Sequence, residues 1–76
     1  MLSLGSQGPQ VTELQQRLTQ FHLYYGPIDG EFSTDVTIAV HRFQWMRNVD
    51  ESPGVYGPAT RAALEAETTV SARAGS

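Results

Sequence analysis

The chain reads as an all-α domain, a compact three-helix bundle with two similar turn-rich loops. Three observations predict this. Apolar residues recur at helical spacing in three separate stretches, two of those stretches open on Gly-Pro, and the pattern around Gly30 returns around Gly54. With 76 residues the chain makes one domain, which buries roughly 60–65% of the surface its unfolded form exposes. Residues 1–67 are assigned to that domain and 68–76 to a flexible, small and polar C-terminal tail.

The first ten residues are rich in Gly, Ser, Gln and Pro and form a leading arm. Gly8 suits a helix cap and Pro9 the first helical position, where a missing N–H costs nothing. Val11, Leu14, Leu18 and Phe21 then lie on one helical face, with Thr12, Gln15, Gln16 and Thr19 assigned to the other, predicting a first helix over 9–22. Residues 23–33 break the pattern with Gly26-Pro27 and Asp29-Gly30, both turn signals. Ser33 is placed to cap the next helix, and Asp35 sits in its positive first turn.

The second helix is predicted over 34–47, with Val36, Ala39, Val40 and Phe43 inward. The third, over 58–67, turns Thr60, Ala63 and Leu64 inward. The repeat aligns Gly30, Phe32, Ala39 and Val40 with Gly54, Tyr56, Ala63 and Leu64. Each copy reads as a turn glycine, an aromatic packed at the helix start, a cap and a helix. Two copies make a duplicated unit and not a solenoid.

Composition excludes several classes of function. Five arginines, no lysine and eight acids give a net charge of −3, so no cationic patch meets nucleic acid or an anionic membrane surface. No apolar run is long enough for membrane insertion, and no signal peptide opens the chain. The absence of cysteine removes disulfides, thiolate nucleophiles and cysteine zinc sites.

Gly8, Val11, Leu14-Gln15 and Leu18, then Asp29-Gly30-Glu31-Phe32, Ala39-Val40, Phe43-Gln44 and the run Gly54 to Thr60 followed by Ala63-Leu64, resemble the small peptidoglycan-binding domain of bacterial and phage wall hydrolases. The resemblance covers about residues 4–65 and departs from the family pattern at Ser33, Val36 and Pro53. It implies a three-helix module that binds peptidoglycan without catalysis, beside a covalently linked catalytic domain. It also implies work outside the cytoplasm, in the cell wall or periplasm.

Asp29 and Glu31 share one short loop, not the opposite sides of a bond that glycoside hydrolysis needs, so no catalytic residue is assigned. His22 and His41 have no neighbour at metal-ligand spacing, so no metal or cofactor is expected. Tyr24, Tyr25 and Tyr56 flank turns, where an aromatic ring beside polar groups suits a sugar or a peptide. Tyr24 and Tyr25 are adjacent and are not both expected inside. The candidate ligand-binding set is Tyr24, Tyr25, Asp29, Gly30, Gln44 and Tyr56, while Phe32 is assigned to the core.

Ile38, His41 and Trp45 form a second stripe on the second helix, opposite its core face. This stripe is the candidate docking face for a partner protein or the attached domain, the alternative to wall binding. Arg42, Arg47 and Arg61 read as solvated, and one of them could meet a stem-peptide carboxylate.

Overall fold

The computed structural model describes residues 1–68, so the expected tail lies outside the described residues except for Thr68. Three helices, α1 (Pro9–Gln20), α2 (Thr34–Arg47) and α3 (Pro58–Glu67), each pack against the other two. No strand forms among the described residues. Two isolated antiparallel pairings join Leu2 to Tyr56 and Gln7 to Glu31.

The helix boundaries follow local chemistry. Pro9 and Pro58 open α1 and α3, where a proline gives up no helical hydrogen bond. α1 ends two residues earlier than its spacing predicts because His22 takes a left-handed conformation, φ 60°. Its N–H donates to Thr19 O and the next N–H, of Leu23, to Leu18 O, which closes the helix end. α2 closes in the same way through Asn48, φ 55°, with Val49 N–H on Gln44 O. Phe21 therefore stands beyond the helix and is half-buried, with its ring edge-on to Phe43 at 5.3 Å.

One capping expectation needs correction. Ser33 stands before α2, but its hydroxyl makes no capping bond; its carbonyl accepts from Thr37 instead. At α3, Gly57 takes the cap position as the Gly-Pro start predicts, and the free N–H groups are met from a distance by Glu51. The Glu51 carboxylate accepts from Ala59 N at 3.0 Å and from Thr60 N at 2.7 Å.

The core collects Val11, Leu14 and Leu18 from α1, Val36, Ala39, Val40 and Phe43 from α2, and Leu64 from α3. Tyr24, Phe32 and Tyr56 seal it from the loops, so both aromatics of the repeat pack as the repeat predicts. At the far end Arg17 is buried, with its charge paired to Glu13 at 2.9 Å. The same guanidinium donates to the carbonyl and hydroxyl of Thr68, both at 2.9 Å. Thr68 is thus built into the folded unit, one residue beyond the assigned boundary.

Candidate functional site

The first loop is organised by Gln15. This residue is fully buried, contrary to its assignment to the outer face of α1. The reason is geometric: it lies four residues after Val11 and three before Leu18, so it flanks the core stripe and does not oppose it. Its side-chain carbonyl accepts from Gly30 N–H at 2.9 Å. Its amide donates to Asp29 Oδ1 at 2.9 Å, Glu31 O at 3.0 Å and the Tyr24 hydroxyl at 3.3 Å. One side chain thereby holds both sides of the Asp29-Gly30 turn.

Gln44 repeats the device in the second loop. It accepts from Gly54 N–H at 2.9 Å and donates to Val55 O at 2.9 Å, Thr60 Oγ1 at 3.0 Å and Ser52 O at 3.1 Å. Gly30 and Gly54 have φ of 75° and 78°, a left-handed backbone that glycine adopts at little cost. The repeat is therefore structural as well as sequential. Its chemical signal was present in each helix as a core residue followed by glutamine, Leu14-Gln15 and Phe43-Gln44.

The N-terminal arm ties the two loops together. Leu2 and Tyr56 exchange backbone bonds of 3.1 and 2.8 Å. Further along, Gly5 N–H donates to Phe32 O, Phe32 N–H to Ser6 O and Gly8 N–H to Gly30 O.

The six ligand-binding candidates separate on this frame. Tyr24 is buried, and its hydroxyl donates to Pro27 O at 2.7 Å. Burial, and then the charge of Asp29, raise its pKa. Gln44 is buried with every polar group engaged inside the fold, and the N–H of buried Gly30 belongs to Gln15. The polar groups of Tyr24, Gly30 and Gln44 are thus bonded within the two loops, Tyr24 and Gly30 in the first and Gln44 in the second.

Tyr56 is also mostly buried, and burial pushes its pKa up to about 12. What it shows to solvent rims a different groove, between α1 and α3, beside Glu13, Arg61 and Glu65. Tyr25 and Asp29 remain open. The Tyr25 ring is 81% exposed. Asp29 takes the Gln15 amide and Glu31 N–H on Oδ1, which lowers its pKa and keeps the carboxylate charged and oriented.

The second stripe of α2 faces outward as its spacing predicts. Trp45 is 81% exposed, and Ile38 and His41 are exposed beside it. Two shallow grooves flank this stripe. One, of about 440 Å³, runs between the first loop and α2 and includes Tyr25, Asp35, Ile38 and Arg42. The other, of about 390 Å³, lies toward the second loop and includes His41, Trp45, Asp50 and Pro53. Tyr25 from the ligand-binding set and Ile38 from the docking set, assigned separately, thus line one groove.

Arg42, Arg47 and Arg61 are all exposed as expected, but two of them also hold ion pairs. Arg47 grips Glu67 through two bonds, at 2.6 and 2.7 Å, with its guanidinium 5.2 Å from the Phe21 ring centre. Arg61 pairs with Glu65 at 2.8 Å. Among the described residues no group of three metal-ligating side chains comes together. No described helix is long and apolar enough to cross a membrane.

A family model for the peptidoglycan binding domain matches residues 7–64, the stretch that carries both glutamine clamps and the whole buried core. The chain belongs to the peptidoglycan-binding domain family. Two crystal structures share the fold of this peptidoglycan-binding domain. The N-terminal domain of SleB is 31% identical with a TM-score of 0.83, over 90% of this chain and 92% of that one. An endolysin of Burkholderia phage AP3 is 28% identical with a TM-score of 0.76. There the likeness covers 91% of this chain and 26% of the endolysin. No curated protein sequence matches significantly.

Proposed function

We propose that this domain binds peptidoglycan through the face made by the first loop and the outward side of α2. In doing so it brings a covalently attached enzyme to the cell wall, outside the cytoplasm, while taking no part in catalysis. The observation that carries this reading is the family match across residues 7–64. The likeness to about a quarter of an endolysin supports attachment to a larger enzyme.

Tyr25 supplies an open aromatic surface and Asp29 an oriented charge on the same loop, a combination suited to an amphiphilic glycopeptide. Tyr24 and Gly30, both bonded to Gln15, hold that surface in shape. Co-sedimentation with purified insoluble sacculi tests the reading. The domain is expected in the pellet, and Tyr25→Ala and Asp29→Ala are expected to weaken retention while helical circular dichroism is preserved. A wild-type domain that stays in the supernatant overturns it.

A second reading rests on the exposure of Trp45 together with Ile38 and His41, a face suited to a protein partner. It predicts that Trp45→Ala abolishes a concentration-dependent association seen by sedimentation, with sacculus binding unchanged.

A further inference from the structure

Each described arginine but one is committed. Arg17 is buried against Glu13 and Thr68, Arg47 grips Glu67, and Arg61 pairs with Glu65. Arg42 is exposed and makes no ion pair among the described residues. It stands at one end of the groove between the first loop and α2.

Asp35, in the first turn of α2, lines the same groove, and Ile38 lies between them. Asp35, Ile38 and Arg42 follow the spacing i, i+3, i+7 and so share one helix stripe. Seven residues at about 1.5 Å each put the backbone positions of the two charged residues about 10 Å apart along the axis. Asp35 likewise makes no ion pair among the described residues, and the exposed ring of Tyr25 forms part of the opposite wall. The groove therefore has an anion at one end, an aliphatic floor, an aromatic wall and a guanidinium at the other end.

We propose that this groove reads the stem peptide of peptidoglycan, with Arg42 holding a stem carboxylate. The proposal rests on the peptidoglycan-binding reading and narrows it. A stem peptide carries free carboxylates, and its diamino acid carries an amine several bonds away. The glycan strand offers mainly hydroxyl and acetamide groups, which need neither Arg42 nor Asp35. A guanidinium can take a carboxylate through two parallel hydrogen bonds. Asp35 receives the amine, and the alkyl stem between them lies over Ile38 and against Tyr25. The groove volume, about 440 Å³, is in the range of small-ligand sites.

The test is calorimetric titration of the whole domain with a synthetic stem tetrapeptide, beside sacculus co-sedimentation. Arg42→Gln is expected to weaken tetrapeptide binding about tenfold, the loss of one charge-assisted pair, and Arg42→Lys to weaken it less. Amidating the peptide's carboxylates should weaken wild-type binding to the same degree and leave Arg42→Gln indifferent. Arg61→Gln, outside the groove, should bind as wild type. Circular dichroism establishes that each variant is folded. If Arg42→Gln binds the acid form as tightly as wild type, or wild type binds the amidated peptide as tightly as the acid, the assignment is wrong. Retention on sacculi without tetrapeptide binding sinks the stem-peptide proposal and leaves wall binding standing. Failure of wild type on sacculi sinks both.

Discussion

The two loops are built on the same clamp and finished differently. In each, a buried glutamine accepts from the N–H of a left-handed glycine and donates to the carbonyl of the next residue. In the second loop the remaining amide bonds go to Ser52 O and to Thr60, and Glu51 completes the closure by capping α3. In the first loop they go to Tyr24 and to the exposed carboxylate of Asp29. The spacing differs too. Gln15 and Gly30 are fifteen residues apart, Gln44 and Gly54 only ten. The five additional residues accommodate the segment that carries Tyr25 and one wall of the Arg42 groove. Duplication thus supplies a scaffold whose second copy is finished by a helix cap, while the first has spare length and an exposed, oriented charge.

Deleting the clamps sharpens this contrast most. Gln44→Ala strands the buried Gly54 N–H and Thr60 hydroxyl, with Val55 half-buried and Ser52 exposed, and should cost about 3 kcal/mol. Gln15→Ala also strands two buried partners, Gly30 N–H and the Tyr24 hydroxyl, but its other two, Asp29 and Glu31, are exposed to water, so it should cost somewhat less, about 2–3 kcal/mol. Urea unfolding of the two variants measures the difference; equal costs would mean the loops are equally closed.

The turn glycines come next. A side chain at Gly54 would meet Thr37 Cγ2 at 2.6 Å, whereas at Gly30 the nearest atom is Thr12 Oγ1 at 3.0 Å. Both sites carry the left-handed penalty, so Gly30→Ala should cost about 1–2 kcal/mol and Gly54→Ala about 1 kcal/mol more. Thr37→Ser removes the offending methyl and keeps a hydroxyl for Ser33 O, so the pair Gly54→Ala with Thr37→Ser should recover most of the excess. Additive behaviour in that cycle would show that the methyl contact is not the cause.

Acid probes the charges that finish each loop. Hydrogen bonds from Gln15 and Glu31 N–H lower the pKa of Asp29, and those from Thr60 and Ala59 lower that of Glu51. A carboxylate depressed in the folded state contributes stability above its unfolded pKa, about 3.9 for Asp and 4.3 for Glu. That contribution disappears as pH falls through the lower folded value. Stability should therefore decline on acidification below pH ~4, and Glu51→Gln and Asp29→Asn should each flatten the decline. Thermal unfolding from pH 6 to pH 2 reads this directly; unchanged slopes would mean the bonds do not favour the ionised forms. The smallest effects belong to the open face. Tyr25→Ala and Trp45→Ala should each shift stability by no more than about 0.5 kcal/mol, since neither ring is packed into the core.

Periodicity made most of the fold legible. The bounds of α2 and α3 agree with those read from spacing, because Asn48 and the Gly57-Pro58 pair punctuate them chemically. The end of α1 was less legible: its apolar spacing runs on to Phe21, while termination depends on His22 adopting a conformation that its residue type does not announce. Gln15 was hidden because a polar residue beside an apolar stripe reads as solvated until its partners are known. Glu51 was hidden because it caps a helix from eight residues away in sequence. The outward stripe of α2 was legible from angle alone. The standing of Arg42 was not, since it depends on which other arginines find carboxylates in three dimensions.

The arm of residues 2–8 has a consequence for the order in which the domain assembles. Its inner bonds, to Gly30 and Phe32, close a stretch of chain roughly half as long as the one closed by Leu2 and Tyr56. Closure entropy rises by about 0.6 kcal/mol for each doubling of length, so the inner contacts can form first. The arm should then dock from its C-terminal end backward, sealing the first loop while the second is still open. In the native state the same sequence runs in reverse: the Leu2–Tyr56 pairing opens earliest, and amide exchange at Leu2 should outpace exchange at Phe32. The first loop, which carries Tyr25 and Asp29, is then the one that matures first and lets go last.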